Sequence, residues 1–175
     1  MAHGWDCLPD QHGLSVSRAT FPRAVRGWAT VIDIGPLRSG DRAAWEVLAR
    51  GYKTFYRTTV PGDRYDETWR RLLSDADLHG IGARLDGRLV GIAHYLFHAT
   101  FWSADACYLQ DLFVDEAARG QGAARALIER VAETSRERGA SRLYWTTKED
   151  NTRARALYDD VARFHGFIRY DHPLD

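Results

Sequence analysis

A strand-like run passes directly into a turn of small residues that opens a helix, and this succession constrains the fold of the chain most. The run covers residues 108–114, the turn is Arg-Gly-Gln-Gly-Ala-Ala at 119–124, and an apolar stripe at helical spacing follows. The first N–H groups of a helix lack partners within it, and the helix dipole adds about half a positive charge there. We therefore predict an anion site in the turn, where Gly120 and Gly122 let a phosphate approach the backbone closely.

The turn does not match the two commonest nucleotide-binding motifs. A phosphate-binding loop of the Walker type requires Gly-Lys-Ser/Thr, whereas Gly122 is followed by Ala-Ala-Arg. A Rossmann turn has three glycines in a parallel βαβ unit near the start of a domain, whereas this turn follows three predicted strands of a meander. Both nucleotide interpretations therefore fail.

The other segments predict one layered α/β domain with a mixed sheet. The predicted strands cover residues 30–36, two runs around Asp86-Gly87, then 106–114, 142–147 and 166–170. The predicted helices begin at Ser39, at Asp63, near Ala124 and at Asn151. We expect the domain to span residues 30–175 and residues 1–29 to form an N-terminal extension.

Composition narrows the function classes. Lys and Arg total 24, as do Asp and Glu, so the chain has no basic field that would attract nucleic acid or an anionic membrane. Cys7 and Cys107 are the only cysteines, which favours a reducing, cytoplasmic compartment over a disulfide framework. His94 and His98 share a strand face, but no further cluster supports a metal, and we expect an ordinary hydrogen-bonded pair.

Two ordered motifs resemble those of the GNAT superfamily of N-acetyltransferases. Arg119-x-x-Gly122-x-Ala124 fits its [Gln/Arg]-x-x-Gly-x-[Gly/Ala] acyl-CoA signature, and Asn151-x-x-Ala-x-x-Leu-Tyr158 with Gly166-Phe resembles its closing helix and strand. The resemblance covers residues 30–172 and looks like the polyamine-type, fungal histone and polyamine acetyltransferase-like branch. It implies a mixed, mostly antiparallel sheet of about six to seven strands with about four helices, and a homodimer.

The resemblance implies acetyl-CoA as co-substrate and no metal. The backbone of the fourth strand would pair with the pantetheine arm, and the turn would take the pyrophosphate. The implied cofactor-binding residues are Leu112, Phe113, Val114, Arg119, Gly120, Gln121, Gly122, Ala123, Ala124, Arg125, Asn151, Ala154 and Tyr158. Arg153 and Arg155 either reach the adenosine phosphate or face water.

The same resemblance implies direct transfer, with Tyr158 as the general acid that protonates the leaving thiolate. A phenol with a pKa of about 10 stays protonated at neutral pH and can donate to sulfur. Gln110 stands where relatives often carry a glutamate, and an amide cannot accept the proton of the amine. Gln110 and Asp111 are the candidate substrate-binding residues, and either Asp111 or His94 acting through water could replace the missing base.

The expected acceptor is a primary amine of a small molecule of the polyamine, amino acid or amino sugar type. Acidic residues Asp63, Asp66 and Glu67 fall where an acceptor site would lie, although carboxylates also favour a helix start. Two alternatives stay open: a protein-lysine or histone acetyltransferase, and a non-catalytic acyl-CoA-sensing module, which the glutamine at position 110 motivates.

Overall fold

The structure, a computed structural model, describes residues 31–174, in which helices cover both faces of one five-stranded sheet. The predicted extension at residues 1–29 lies outside the described residues. The strands are β1 (Ile32–Pro36), β2 (His79–Leu85), β3 (Arg88–His98), β4 (Ala106–Val114) and β5 (Arg142–Tyr144). The helices are α1 (Arg42–Phe55), α2 (Gly62–Ser74), α3 (Ala123–Glu137) and α4 (Thr152–Val161), and short 3-10 turns lie at Ser39–Asp41 and Glu116–Ala118.

The strands lie in the order β1-β2-β3-β4-β5. The first four pair antiparallel, whereas β4 and β5 run parallel over three residue pairs from Ala106–Arg142 to Tyr108–Tyr144. The predicted mixed, mostly antiparallel α/β fold with four helices is thus confirmed. The described residues hold five strands, fewer than the six to seven that we predicted.

The missing strand is the one predicted at residues 166–170. Residues 163–174 form no strand, and Phe167, Ile168 and Tyr170 are 87%, 74% and 86% exposed. A strand needs a neighbour for its backbone groups, and this segment finds none within residues 31–174. The prediction for this segment is therefore wrong for the chain by itself. β5 is also shorter than predicted, ending at Tyr144 instead of residue 147.

Local sequence signals set most element boundaries. Asp86 and Gly87 adopt φ angles of 50° and 79°, as expected for a tight hairpin between β2 and β3. Asn151 caps α4 through its side-chain oxygen, which accepts from the Ala154 N–H at 3.4 Å. The predicted cap at Asp63 is wrong, because α2 already begins at Gly62 and Asp63 lies in its first turn. Ser39 begins a 3-10 turn, and α1 follows at Arg42.

The sheet separates two apolar cores. Helices α1 and α2 bury Trp45, Leu48, Tyr65, Trp69 and Leu72 against one face. The core on the other face is formed chiefly by α3 and strand residues, and it includes Val90, Tyr95, Leu109, Leu127 and Val131. Helix α1 approaches β4 closely at Gly51, where a Cβ would lie 2.8 Å from the Phe113 ring. A larger residue at position 51 would therefore force the Phe113 ring or α1 itself to shift.

Candidate active site

Strands β4 and β5 diverge and leave one edge of β4 open. Their pairing ends at Tyr108 and Tyr144, so the second half of β4 is bonded to β3 alone. In that half, Gln110 has no partner across the ladder, because His94 pairs with Asp111 and Tyr95 pairs with Leu109. A bulge of this kind bends a strand and increases its twist. The bulge thus explains why β4 leaves β5 and why the backbone at residues 112–114 is free on one side.

The predicted anion site lies at the end of this open edge. Gly120 and Gly122 adopt φ angles of 79° and 90°, which favour glycine, and α3 begins immediately afterwards. The first helical bond runs from the Ala126 N–H to the Gly122 carbonyl at 3.0 Å. Within residues 31–174 the backbone N–H groups of residues 120–125 have no acceptor. Six successive donors are therefore free to bind an anion.

The open edge and the turn border one cleft of about 410 Å³ between β4, α3, α4 and the end of α1. Of the predicted cofactor-binding residues, the structure brings all except Gln121 to the wall of this cleft. Sequence reasoning did not assign the further lining residues to it: Tyr52, Phe55, Tyr56, Ala118 and Leu157. Tyr52 and Phe55 lie on α1 and Tyr56 directly follows it. Their helical spacing indicates a shared face but does not indicate what that face contacts.

The arginines around the cleft have different partners. Arg119 donates from Nε to the Val114 carbonyl at 3.2 Å and also pairs with Glu116. Arg125 forms an ion pair with Asp160 on α4. Arg153 lines the cleft, whereas Arg155 donates to the Glu149 carbonyl at 3.0 Å and does not line it. Of the two arginines considered for the adenosine phosphate, the structure therefore places Arg153 on the cleft.

Tyr158 stands on α4 at the wall of the same cleft. Its ring contacts Trp145 edge to face, with centroids 5.2 Å apart. Burial, together with the neighbouring Tyr56, raises the pKa of Tyr158 to about 12. The phenol therefore carries its proton throughout the neutral range and can act as a donor.

A second cavity of about 320 Å³ lies between α1, α2 and strands β3 and β4. Its walls are mostly aromatic and aliphatic, with Trp45, Tyr65, Val60 and Ile92 among them. Tyr52 lines both cavities, so the two spaces meet at this side chain. A molecule in the second cavity can therefore approach one held in the cleft.

A buried chain of hydrogen bonds ends at a carboxylate in the second cavity. The Trp45 indole Nε1–H donates to His94 Nε2 at 2.9 Å, so His94 carries its proton on Nδ1 and donates it to Asp111 Oδ2 at 3.0 Å. Both ring nitrogens of His94 are engaged and the residue is 4% exposed. His94 is therefore poorly placed to take a proton from an amine, even through water.

The same chain sets the charge of Asp111. Burial opposes ionisation, but the hydrogen bond from His94, with smaller effects of Tyr52 and Lys53, outweighs it. The pKa of Asp111 consequently lies below its usual range. Such a carboxylate holds a negative charge at all physiological pH values and is a weak proton acceptor, which suits it to binding an ammonium group.

Other predicted acceptor residues lie elsewhere. Gln110 is exposed at the β4 bulge and lines neither cavity. Asp66 pairs with Arg42 at 2.6 Å and Glu67 with Arg64 at 2.7 Å. Neither these two acids nor Asp63 lines either cavity, so the expected acidic wall is not formed.

The part of the chain that the structure describes offers neither a cluster of metal ligands nor a membrane-spanning helix. There, no group of three or more His, Cys, Asp or Glu side chains could hold a metal ion. No helix between residues 31 and 174 is both long and apolar enough to cross a bilayer. His98 bonds the Tyr144 hydroxyl at 3.0 Å, so the expected pair of His94 and His98 is wrong because each ring bonds other groups.

Sequence comparison relates this chain to known acetyltransferases. Residues 45–167 match the acetyltransferase (GNAT) family. D-amino-acid N-acetyltransferase HPA3 of Saccharomyces cerevisiae is 37% identical over 127 residues, which cover 70% of this chain and 78% of the relative. Thialysine N-epsilon-acetyltransferase of Caenorhabditis elegans is 30% identical over 95 residues, and the match covers 54% of this chain and 59% of that protein.

Solved structures share the fold. Aminoglycoside acetyltransferase AAC(6')-Iy, crystallised with a bisubstrate analogue, superposes with a TM-score of 0.74 at 18% identity, covering 83% of this chain and 100% of that one. Ribosomal-protein-alanine N-acetyltransferase from Brucella melitensis biovar Abortus 2308 gives a TM-score of 0.69 at 26% identity, covering 82% and 100%.

Proposed function

The chain belongs to the acetyltransferase (GNAT) family, and from this premise we propose that it transfers an acetyl group from acetyl-CoA to a primary amine of a small molecule. The observation that carries the proposal is the convergence of six free N–H donors at residues 120–125 and the open edge of β4 on one cleft. The two sequence relatives are named as N-acetyltransferases of D-amino acids and of thialysine, which supports a small-molecule amine over a protein lysine.

The cleft fits the chemistry of coenzyme A. Its diphosphate is a compact dianion, and the free N–H groups at the start of α3 would bind it. The pantetheine arm carries two amides, which the backbone of residues 112–114 would bind as a further strand does. Arg125 and Arg153 would contribute positive charge, and the Asn151 amide, which donates to Thr147 at 3.1 Å, would help to hold the arm.

The second cavity would hold the acceptor with its ammonium group on Asp111. Since the pKa of Asp111 is low, we assign it to binding the ammonium and expect water to carry the displaced proton to solvent. The neutral amine then attacks the thioester carbonyl, so that an N–C bond forms as the C–S bond breaks, and the nitrogen releases its second proton to water as the amide forms. Tyr158 gives its proton to the thiolate and regains one from solvent.

Two measurements on the full chain test the proposal. Isothermal calorimetry with coenzyme A should show saturable binding, and thiol release from acetyl-CoA should depend on an added amine from a broad panel. Tight binding of coenzyme A without acetylation of any amine would favour the acyl-CoA-sensing alternative. Faster acetylation of histone peptides than of every small amine would favour the protein-lysine alternative, and absence of coenzyme A binding by folded protein would refute the assignment of the cleft.

We also propose a homodimer, formed through the C-terminal segment at residues 163–174. Phe164, Phe167, Ile168 and Tyr170 are at least 72% exposed, an unusual density of apolar surface. Strand β5 pairs only with β4 in the described chain, so its outer edge offers a partner strand to the same segment of a second copy. Light scattering should give twice the chain mass, and a chain ending at residue 162 should be monomeric; a monomeric full chain refutes the proposal.

A cytoplasmic location is proposed from cysteine usage. Cys107 is fully buried in the core, and Cys7 lies outside the described residues. Fluorescence of a tagged full chain in its own cells would test this, and secretion into the medium would contradict it.

A further inference from the structure

The charges around the second cavity differ from those that an amine site alone requires. Its lining includes one carboxylate, Asp111, and two cations, Lys53 and Arg64. His94 also lines it, but as a neutral ring that donates to Asp111. The lining thus holds two cations and a single carboxylate, and although Glu67 outside the lining pairs with Arg64, no second carboxylate faces the cavity to bind a further ammonium group.

Lys53 stands on the side of the cavity next to Asp111. It is half-buried on α1, with its Nζ 5.3 Å from the centre of the Tyr52 ring. Tyr52 is the residue at which the two cavities meet, and the charge of Lys53 is close enough to Asp111 to stabilise its ionised form. One cation and one anion thus both line the cavity, and the cation lies beside Tyr52, where the cavity meets the cleft.

Arg64 approaches from α2. One of its terminal nitrogens bonds Glu67 at 2.7 Å, and the side chain is still 65% exposed. A guanidinium has five N–H donors in a planar fork that matches a carboxylate, so donors remain for a ligand. The rest of the wall, including Trp45, Tyr65 and Val60, offers an aromatic and aliphatic surface without charge.

We propose that Lys53 and Arg64 form a carboxylate-binding pair, which makes this cavity specific for an α-amino acid with an apolar side chain. The inference rests on the proposed function. The α-ammonium lies on Asp111, the adjacent α-carboxylate lies on Lys53 and Arg64, and the side chain packs on the apolar wall. Polyamines and amino sugars lack the carboxylate and carry further ammonium groups, so they are poor acceptors.

The test uses the wild-type full chain and compares its activity on acceptors of matched shape. Both enantiomers of phenylalanine, the corresponding phenylalaninamides, phenethylamine and 1,4-diaminobutane are assayed by thiol release from acetyl-CoA. We expect kcat/KM for at least one phenylalanine enantiomer to exceed that for its amide, for phenethylamine and for diaminobutane by about 10-fold or more, as the loss of a charge-assisted contact predicts. Equal or better use of the acceptors that lack a carboxylate, whether they carry one ammonium group or two, overturns the inference.

Variants then locate the contact. Lys53→Met and Arg64→Gln should each lower the ratio of kcat/KM for phenylalanine to that for phenethylamine by about 10-fold. Arg70→Gln is the matched control, since Arg70 is exposed on α2 and lines neither cavity, and its ratio should equal that of the wild type. A wild-type ratio in both test variants overturns the assignment of these residues.

The outcomes separate this inference from the proposed function. If coenzyme A binds but neither these acceptors nor any amine of the broad panel is acetylated, the proposed function itself fails. If diaminobutane or phenethylamine is acetylated and phenylalanine is not, the enzyme activity stands and only the carboxylate pair is refuted. The wild-type comparison needs no substitution, so a variant that fails to fold cannot leave the question undecided.

Discussion

Replacing Asp111 by asparagine removes one negative charge from the acceptor cavity and leaves the shape of the side chain almost unchanged. The Nδ1–H of His94, 3.0 Å from Asp111 Oδ2, can donate to the asparagine carbonyl instead, so the chain of hydrogen bonds from Trp45 is retained. The fold should therefore survive, and the change should act on binding of the acceptor ammonium.

The expected loss of acceptor binding follows from the burial of Asp111. The Asp111 side chain is 20% exposed, so its contact with an ammonium is largely shielded from water. A hydrogen bond to a charged group contributes about 1.5–3 kcal/mol, which corresponds to a loss of about 10- to 150-fold in kcat/KM for the acceptor. The loss should be largest near pH 7 and smaller above about pH 10, where an alkylamine is neutral and no longer needs a negative partner.

Stability should change less than activity. Exchanging a charge-assisted for a neutral hydrogen bond costs about 1 kcal/mol, or a fall of about 2–4 °C in Tm. Since the pKa of Asp111 is lower in the folded chain than its unfolded value of about 3.9, its ionisation stabilises the wild type above that pH. This contribution is lost as the pH falls through the folded pKa, and the variant should lack this part of the acid dependence.

The assay is steady-state thiol release from acetyl-CoA between pH 6 and pH 10.5, with melting curves for each protein. Asp63→Asn is the matched control, because Asp63 is exposed and lines neither cavity. An Asp111→Asn variant with kcat/KM within about two-fold of the wild type at pH 7, or with a loss that does not vary with pH, would refute the reasoning.

Three further substitutions test other parts of the site. Tyr158→Phe keeps the ring against Trp145 but removes the proton donor, so kcat should fall about 100-fold or more. Calorimetry should show an unchanged Kd for coenzyme A. An unaltered kcat would exclude Tyr158 as the general acid. Gly122→Ala forces alanine to a φ of 90°, at a cost of about 1–2 kcal/mol, and should weaken coenzyme A binding or lower Tm. Gly62→Ala is the control, because a Cβ at position 62 meets no other atom, and it should change neither quantity. Equal Kd and Tm values in the two variants would contradict this prediction. Asn151→Ala should reduce the free energy of unfolding by about 1 kcal/mol in urea titrations, and Asn151→Asp should retain the cap; no difference between them would argue against a capping role.

Much of the local structure could be predicted because it depends on short-range interactions. The hairpin at Asp86-Gly87, the cap at Asn151 and the glycine turn at residues 120–122 each follow from the backbone preferences of a few adjacent residues. The order of strands and helices likewise follows from hydrophobic periodicity. Residues 112–125 and 151–158 carry most of the cleft lining, so the sequence located that part of the site.

The acceptor cavity depended on contacts between residues far apart in the chain. Trp45 and His94 are 49 positions apart, and their bond, which fixes the tautomer of His94 and the charge of Asp111, arises only when α1 packs on β3. Packing of α2 likewise decided that Arg64, and not Asp66 or Glu67, lines the cavity. A sequence pattern indicates which side chains lie on the same face of a helix or strand. Which other residues that face contacts depends on how the helices and strands pack together. By itself, therefore, the sequence determined the hairpin turn, the glycine turn, the cap at Asn151 and the element order up to α4. The tertiary structure decided the charges that line the second cavity and left the C-terminal segment without a strand partner.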